Sequence, residues 1–89
     1  MNEIQSQEEW AVPETILPLD MLRCGDQADV TEVHGEPGLI GRMAELGLRV
    51  GSRLRVLCSG SPCLLQVGES RLSLRIETAF QVLVRPVEG

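Results

Sequence analysis

Glu45-Leu46-Gly47-Leu48-Arg49-Val50-Gly51 is where two hydrophobic periods meet, and its reading decides the fold. Upstream, Leu39, Ile40, Met43, Ala44 and Leu46 recur at spacings of three and four around Gly41, Arg42 and Glu45. That spacing predicts about two helical turns with one apolar side, leaving Arg42 and Glu45 outward. Downstream, Leu54, Val56 and Cys58 alternate with Arg53, Arg55 and Leu57, the period of a strand with one apolar face. Gly47 stands where the helical period stops, so it is expected to cap the helix at positive φ and turn Leu48 back into the core. So short a helix does not persist alone and needs a sheet beneath it.

Working outward, Leu17, Leu19 and Leu22 precede a polar Gly25-Asp26 turn, and Leu19 and Leu22 are expected to seal one end of the core. Ala28, Val30 and Val33 mark a first strand whose spacing changes from two to three, which predicts a bulge between Val30 and Val33. His34-Gly35-Glu36-Pro37-Gly38 is the loop before the helix. After Ser59-Gly60-Ser61-Pro62, the residues Cys63, Leu65 and Val67 resume the inward pattern, and Gly68-Glu69-Ser70 reverses the chain. Leu72 and Leu74 alternate with Arg71, Ser73 and Arg75, Ile76-Glu77-Thr78-Ala79 makes a single turn, and Phe80, Val82 and Val84 form the last strand, with Pro86 blocking its edge. About five short strands cannot cover both faces of a flat sheet, so the expectation is a mainly β domain curled into a small SH3-like barrel with closed edges. One short helix lies between its first two strands.

The 89 residues suffice for one domain with a modest core. Residues 1–16 read as a mobile acidic arm, 17–86 as the domain and 87–89 as a tail. Net charge is -5 and every basic residue is arginine. The imbalance sits in residues 1–20, which hold Glu3, Glu8, Glu9, Glu14 and Asp20 with no base, so the rest is neutral. A neutral body lacks the positive surface that binding to a phosphate backbone requires, which argues against nucleic acid. No apolar run of membrane-spanning length and no basic-then-apolar leader occurs, so a cytoplasmic protein without direct membrane insertion is expected. Trp10, the single Trp, folds back on the domain, meets a partner, or is simply disordered with the rest of the arm.

Candidate chemistry is sparse. His34 is the sole histidine and reads as a surface residue, because Asp29 and Glu32 nearby make no recognised acid–base pair with it. Cys24, Cys58 and Cys63 form neither a CxxC pair nor a disulfide framework. Alternation makes Cys58 and Cys63 small buried apolar groups. Asp20, Asp26, Asp29, Glu32 and Glu36 could attract a divalent cation only weakly and read as solvated charge. With no nucleophile motif, phosphate loop or dinucleotide fingerprint, no catalytic, cofactor-binding or metal-ligating residue is assigned, and the protein is expected not to be an enzyme. Arg53, Arg55, Arg71 and Arg75 point outward, either to cross-strand partners or to an anionic surface. The corner around Leu46-Gly47-Leu48 suits a small protein interface.

Taken in order, Leu19 to Asp26, Ala28 to Val33, Arg42 to Leu54 and Leu72 to Val84 resemble the ferrous iron transport protein A (FeoA) family over roughly residues 17–86. The resemblance implies a small cytosolic SH3-like protein, without enzymatic activity, that assists ferrous iron uptake by docking on the cytosolic portion of a FeoB-type transporter. Arg42, Glu45, Leu46, Gly47 and Leu48 then become the candidate transporter-facing residues. Many relatives carry Pro where Val50 stands, so this corner lacks that fixed φ. The alternative is a metal-responsive regulatory module binding a divalent transition metal, since similar domains occur in iron-dependent repressors. Without a DNA-binding helical region it would act only through a partner. Homo-oligomerisation is left open.

Overall fold

A computed structural model describes residues 15–75 and 80–87. Residues 1–14 of the expected acidic arm, with Trp10, the single turn at Ile76-Glu77-Thr78-Ala79, and residues 88–89 of the expected tail fall outside the described residues. The elements are β1 (Leu17–Pro18), a 3-10 turn (Leu19–Met21), β2 (Gln27–Gly35), α1 (Pro37–Glu45), β3 (Arg53–Cys58), β4 (Cys63–Val67), β5 (Ser70–Leu74) and β6 (Phe80–Val87). Alternation builds each strand, so β3 and β4 bury Leu54, Val56, Cys63, Leu65 and Val67. Leu19 and Leu22 close one end of the core, at 3% and 6% exposure. Leu39, Ile40 and Met43 of α1 are half-buried against the same core.

The strands form one antiparallel sheet in the order β1-β6-β2-β3-β4-β5. This corrects the expected barrel. Among the described residues the sheet has six strands and is not closed, because β5 pairs only with β4 and β1 only with β6. All the buried residues nevertheless make one cluster, so the sheet bends around its inner face. Closure fails at β1, which is two residues long, has no N–H at Pro18 and runs directly into the 3-10 turn. A gap of about 470 Å³ fills the seam, with Pro18 and Leu19 on one side, Leu74 and Arg75 on the other. The helix consequently lies between the second and third strands, since β1 is an extra element.

The register of β2 with β6 shifts between Val30 and Glu32, so the bulge expected between Val30 and Val33 is present. A second shift, between Val56 and Cys58, was not foreseen. It breaks the alternation one residue before the strand ends, leaving Leu57 half-buried and Cys58 exposed, and so corrects the expectation that Cys58 is a core residue. Cys63 is in the core. Pro86 is also placed differently, since β6 lies inside the sheet and Pro86 sits opposite Ala28. The proline is tolerated there because β1 covers β6 only at Leu83 and Val84.

On the outer face Asp29 stands in register with Arg53 of β3 and Arg85 of β6. Its Oδ1 accepts a hydrogen bond from Arg53 Nε at 2.8 Å, and Arg85 Nη2 lies 3.9 Å from Oδ2. The Arg53 hydrogen bond, with the charges of Arg53 and Arg85, outweighs desolvation and lowers the Asp29 pKa below its ordinary 3.8. A lowered carboxyl contributes stability above the unfolded pKa that is lost as pH falls through the folded one. In acid titrations followed by circular dichroism, Asp29→Asn should therefore be less stable at neutral pH and lose less stability below about pH 3.8 than the parent chain. An equal acid slope in both would contradict this. The thiols supply a second check: burial, reinforced by Cys58 and Asp20, raises the Cys63 pKa, whereas Cys24 and Cys58 are exposed. Iodoacetamide is expected to label Cys24 and Cys58 in the native protein and Cys63 only after denaturation, as counted by mass spectrometry.

Candidate functional site

The corner between α1 and β3 is a non-repetitive segment held by backbone hydrogen bonds. Pro37 starts α1 at a position that needs no N–H donor, and the helix ends at Glu45. Leu46 is the C-cap, with φ -85° and ψ -1°. Gly47 follows at φ +106°, a conformation that L side chains rarely adopt. Its N–H donates to Ala44 O at 3.0 Å, and the Leu48 N–H donates to Met43 O at 2.9 Å. These two bonds are the Schellman pattern, which satisfies carbonyls the helix end would otherwise leave unpaired. Leu48 then enters the core at 1% exposure.

Ser52 ties the corner together. Its Oγ donates to Gly47 O and accepts from the Arg49 N–H at 3.2 Å, while the Ser52 N–H donates to Arg49 O at 2.9 Å. The loop is anchored to the bulged strand as well. Gly51 N–H donates to Val30 O, and Val30 N–H donates to Ser52 O, both at 2.8 Å. Arg49 Nη1 reaches back to Ala44 O at 3.4 Å. Ser52 escaped the sequence reading, because hydrophobic spacing carries no information about which backbone groups a turn hydroxyl will meet.

Arg42 and Glu45 are exposed on α1, as expected. Leu46 is 44% exposed, so the last member of the apolar helical period faces outward. Val50, at 62% exposure, adds a second apolar group to the corner. Gly47 is half-buried, and Leu48 lies beneath the surface and supports the corner from inside. A rigid backbone thus presents two aliphatic side chains beside one cation and one anion, which suits protein contact rather than bond chemistry.

The remaining candidate residues disperse. His34 Nε2 lies 2.7 Å from Glu32 Oε1 on the exposed surface. The two are neighbours because residues two apart share a strand face, a signal present in the sequence. Asp26 Oδ2 accepts the Arg23 N–H at 2.8 Å, and Asp29 is engaged with Arg53. Among the described residues no group of three or more His, Cys, Asp or Glu is arranged to hold a metal ion. Arg53, Arg55, Arg71 and Arg75 are all exposed. Arg53 has its cross-strand acid, and Arg71 Nε donates to Gln66 Oε1 at 3.3 Å.

The FeoA domain model matches residues 17–86, which include β1, the corner and β6 through Pro86. The chain belongs to the FeoA family. Solved FeoA structures agree with this fold. One, described as an iron uptake regulatory protein, is 27% identical with a TM-score of 0.73, covering 82% of this chain and all of its own. The FeoA protein from Chlorobium tepidum is 33% identical with a TM-score of 0.75, covering 82% of this chain and 72% of that one. No curated protein matches the sequence closely. No described helix of this FeoA chain is long and apolar enough to cross a membrane.

Replacing Gly47 tests the corner's backbone. An added Cβ would meet only Val67 Cγ1, at 3.6 Å, so sterics are not the obstacle. The positive φ is, and Gly47→Ala is expected to cost about 1–3 kcal/mol in urea unfolding. A cost near zero would show that the backbone relaxes freely.

Proposed function

We propose that this FeoA-family protein is a non-enzymatic accessory of ferrous iron uptake that docks on the cytosolic portion of a FeoB-type transporter and biases its assembly or active state. The observation that carries the reading is the corner, where exposed Leu46 and Val50 sit beside Arg42 and Glu45 on a hydrogen-bonded backbone inside the family-matched segment. Isolated apolar side chains on a surface are ordinary. Two on a corner held at Gly47, Ser52 and Val30 are preorganised, so docking loses little backbone entropy there.

Division of labour follows from burial. Leu46 and Val50 supply apolar contact area, while Arg42 and Glu45 set orientation and partner choice at its rim. Gly47 and Leu48 hold the shape without offering comparable surface. The domain acts on transport through binding energy that differs between states of its partner.

Arg42 and Val50 make clean probes because neither side chain is part of the core. Arg42→Glu is expected to weaken binding to the transporter's cytosolic portion by about tenfold, roughly 1.4 kcal/mol, and Val50→Asp by a similar factor. Calorimetry measures the affinities, and iron uptake in cells carrying each variant should fall in the same order. If both variants remain folded and bind and support uptake like the parent, the corner is not the docking surface.

A further inference from the structure

The two ends of the sheet are unlike. β1 is two residues long and includes Pro18, which has no N–H, so it offers an added strand almost nothing to bond. β5 is five residues long, contains no proline, and pairs with β4 over its whole length without a bulge. Its outer side has no strand beside it among the described residues, and a gap of about 470 Å³ holds Pro18 and Leu19 away from Leu74 and Arg75. An edge of this kind recruits another strand unless something blocks it.

The chemistry of β5 says which strand fits. Gly68-Glu69 is a two-residue loop, which makes Val67 and Ser70 the closing hydrogen-bonded pair of the hairpin. Bonding alternates from there, so Ser70, Leu72 and Leu74 turn their main-chain groups to β4, while the N–H and C=O of Arg71 and Ser73 face the open edge. Leu72 and Leu74 are each 7% exposed on the inner face, and the Arg71 and Ser73 side chains are exposed on the outer one. Opposed residues of antiparallel strands share a face, so an added strand has to set an inward residue against Leu72. A second β5 does this in a register centred on Leu72. That register puts Leu72 on Leu72, Arg71 opposite Ser73 and, at each end, Glu69 opposite Arg75. Sliding to the next registers that keep the faces matched puts Arg71 opposite Arg71 or opposite Arg75, and like charges directly opposed are destabilising.

We propose that β5 is a self-pairing edge, through which two copies of this chain join antiparallel in the register centred on Leu72. Arg71 and Ser73 then exchange main-chain hydrogen bonds across a two-fold axis, and the two sheets become one. A five-residue ladder is small beside the interfaces of stable dimers, so the pair forms and dissociates with concentration.

Ser73 carries the test, because it is exposed and faces Arg71 of the second copy. Sedimentation equilibrium of the full chain, up to about millimolar concentration, is expected to show monomer and dimer in exchange. Ser73→Arg sets a cation opposite Arg71 twice and should weaken the dimer about fivefold, whereas Ser73→Asp sets an anion there twice and should tighten it about fivefold. In the displaced registers Ser73 faces itself or Glu69, and Ser73→Asp would weaken association instead. Amide exchange locates the contact: the Arg71 and Ser73 N–H groups should exchange fast in dilute protein and slow as concentration rises. A chain that stays monomeric at about millimolar concentration overturns the proposal. So does a dimer that both substitutions leave unchanged or both weaken, and so does protection of those two amides that ignores concentration, which would mean that the edge is covered within one chain. Should one variant unfold by circular dichroism, the other variant and the exchange pattern of the parent chain decide.

Discussion

Leu48 has to return to the core immediately after a helix that buries none of its own side chains completely, and the rest of the fold depends on that return. Only a residue at positive φ reverses the chain quickly enough, and Gly47 provides it at +106°. The reversal gives α1 its last two carbonyl partners and fixes where β3 begins. It also completes the sheet. Beyond Asp29, β2 has no further ladder partner on β3, and the corner takes over through the bonds between Val30, Gly51 and Ser52. The bulge in β2 and the turn after α1 are therefore one structure joined by two hydrogen bonds.

The outer surface shows how a chain with eight arginines avoids a basic patch. Asp29 lies between Arg53 and Arg85 in register, so one carboxylate answers two guanidiniums across three strands. Arg71 is held by Gln66, and Arg49 is folded onto the end of α1. What is left over is local. Arg23 and Arg55 line one groove beside the 3-10 turn, and Arg42 stands at the corner.

Features set by one segment were legible in the sequence. The cap at Gly47, the burial of Leu48, the inward faces of β3 and β4 and the break after Val30 all follow from spacing or from a single residue type. Cys58 was misplaced because a bulge is a relation between two strands, and the partner, Leu64, lies beyond the Ser59-Gly60-Ser61-Pro62 turn. Barrel closure was misjudged for a similar reason. Counting strands shows that a sheet must bend, but whether its edges meet depends on β1, two residues too short to register as a strand in any hydrophobic pattern. Leu46 fitted the helical period and still faces outward, since the period does not say where the helix stops.

The open seam gives the fold a direction in time. β2 and β6 pair from Gln27 to Gly35 in the sheet's interior, whereas among the described residues β5 has a neighbour on one side only. Amide hydrogen exchange should thus be layered, slowest along the β2–β6 ladder and fastest at β5, because peeling an edge strand exposes far less than opening the centre. The β4–β5 hairpin becomes a region that can yield to a thermal fluctuation while the corner, bonded into the slow layer through Val30, keeps its shape.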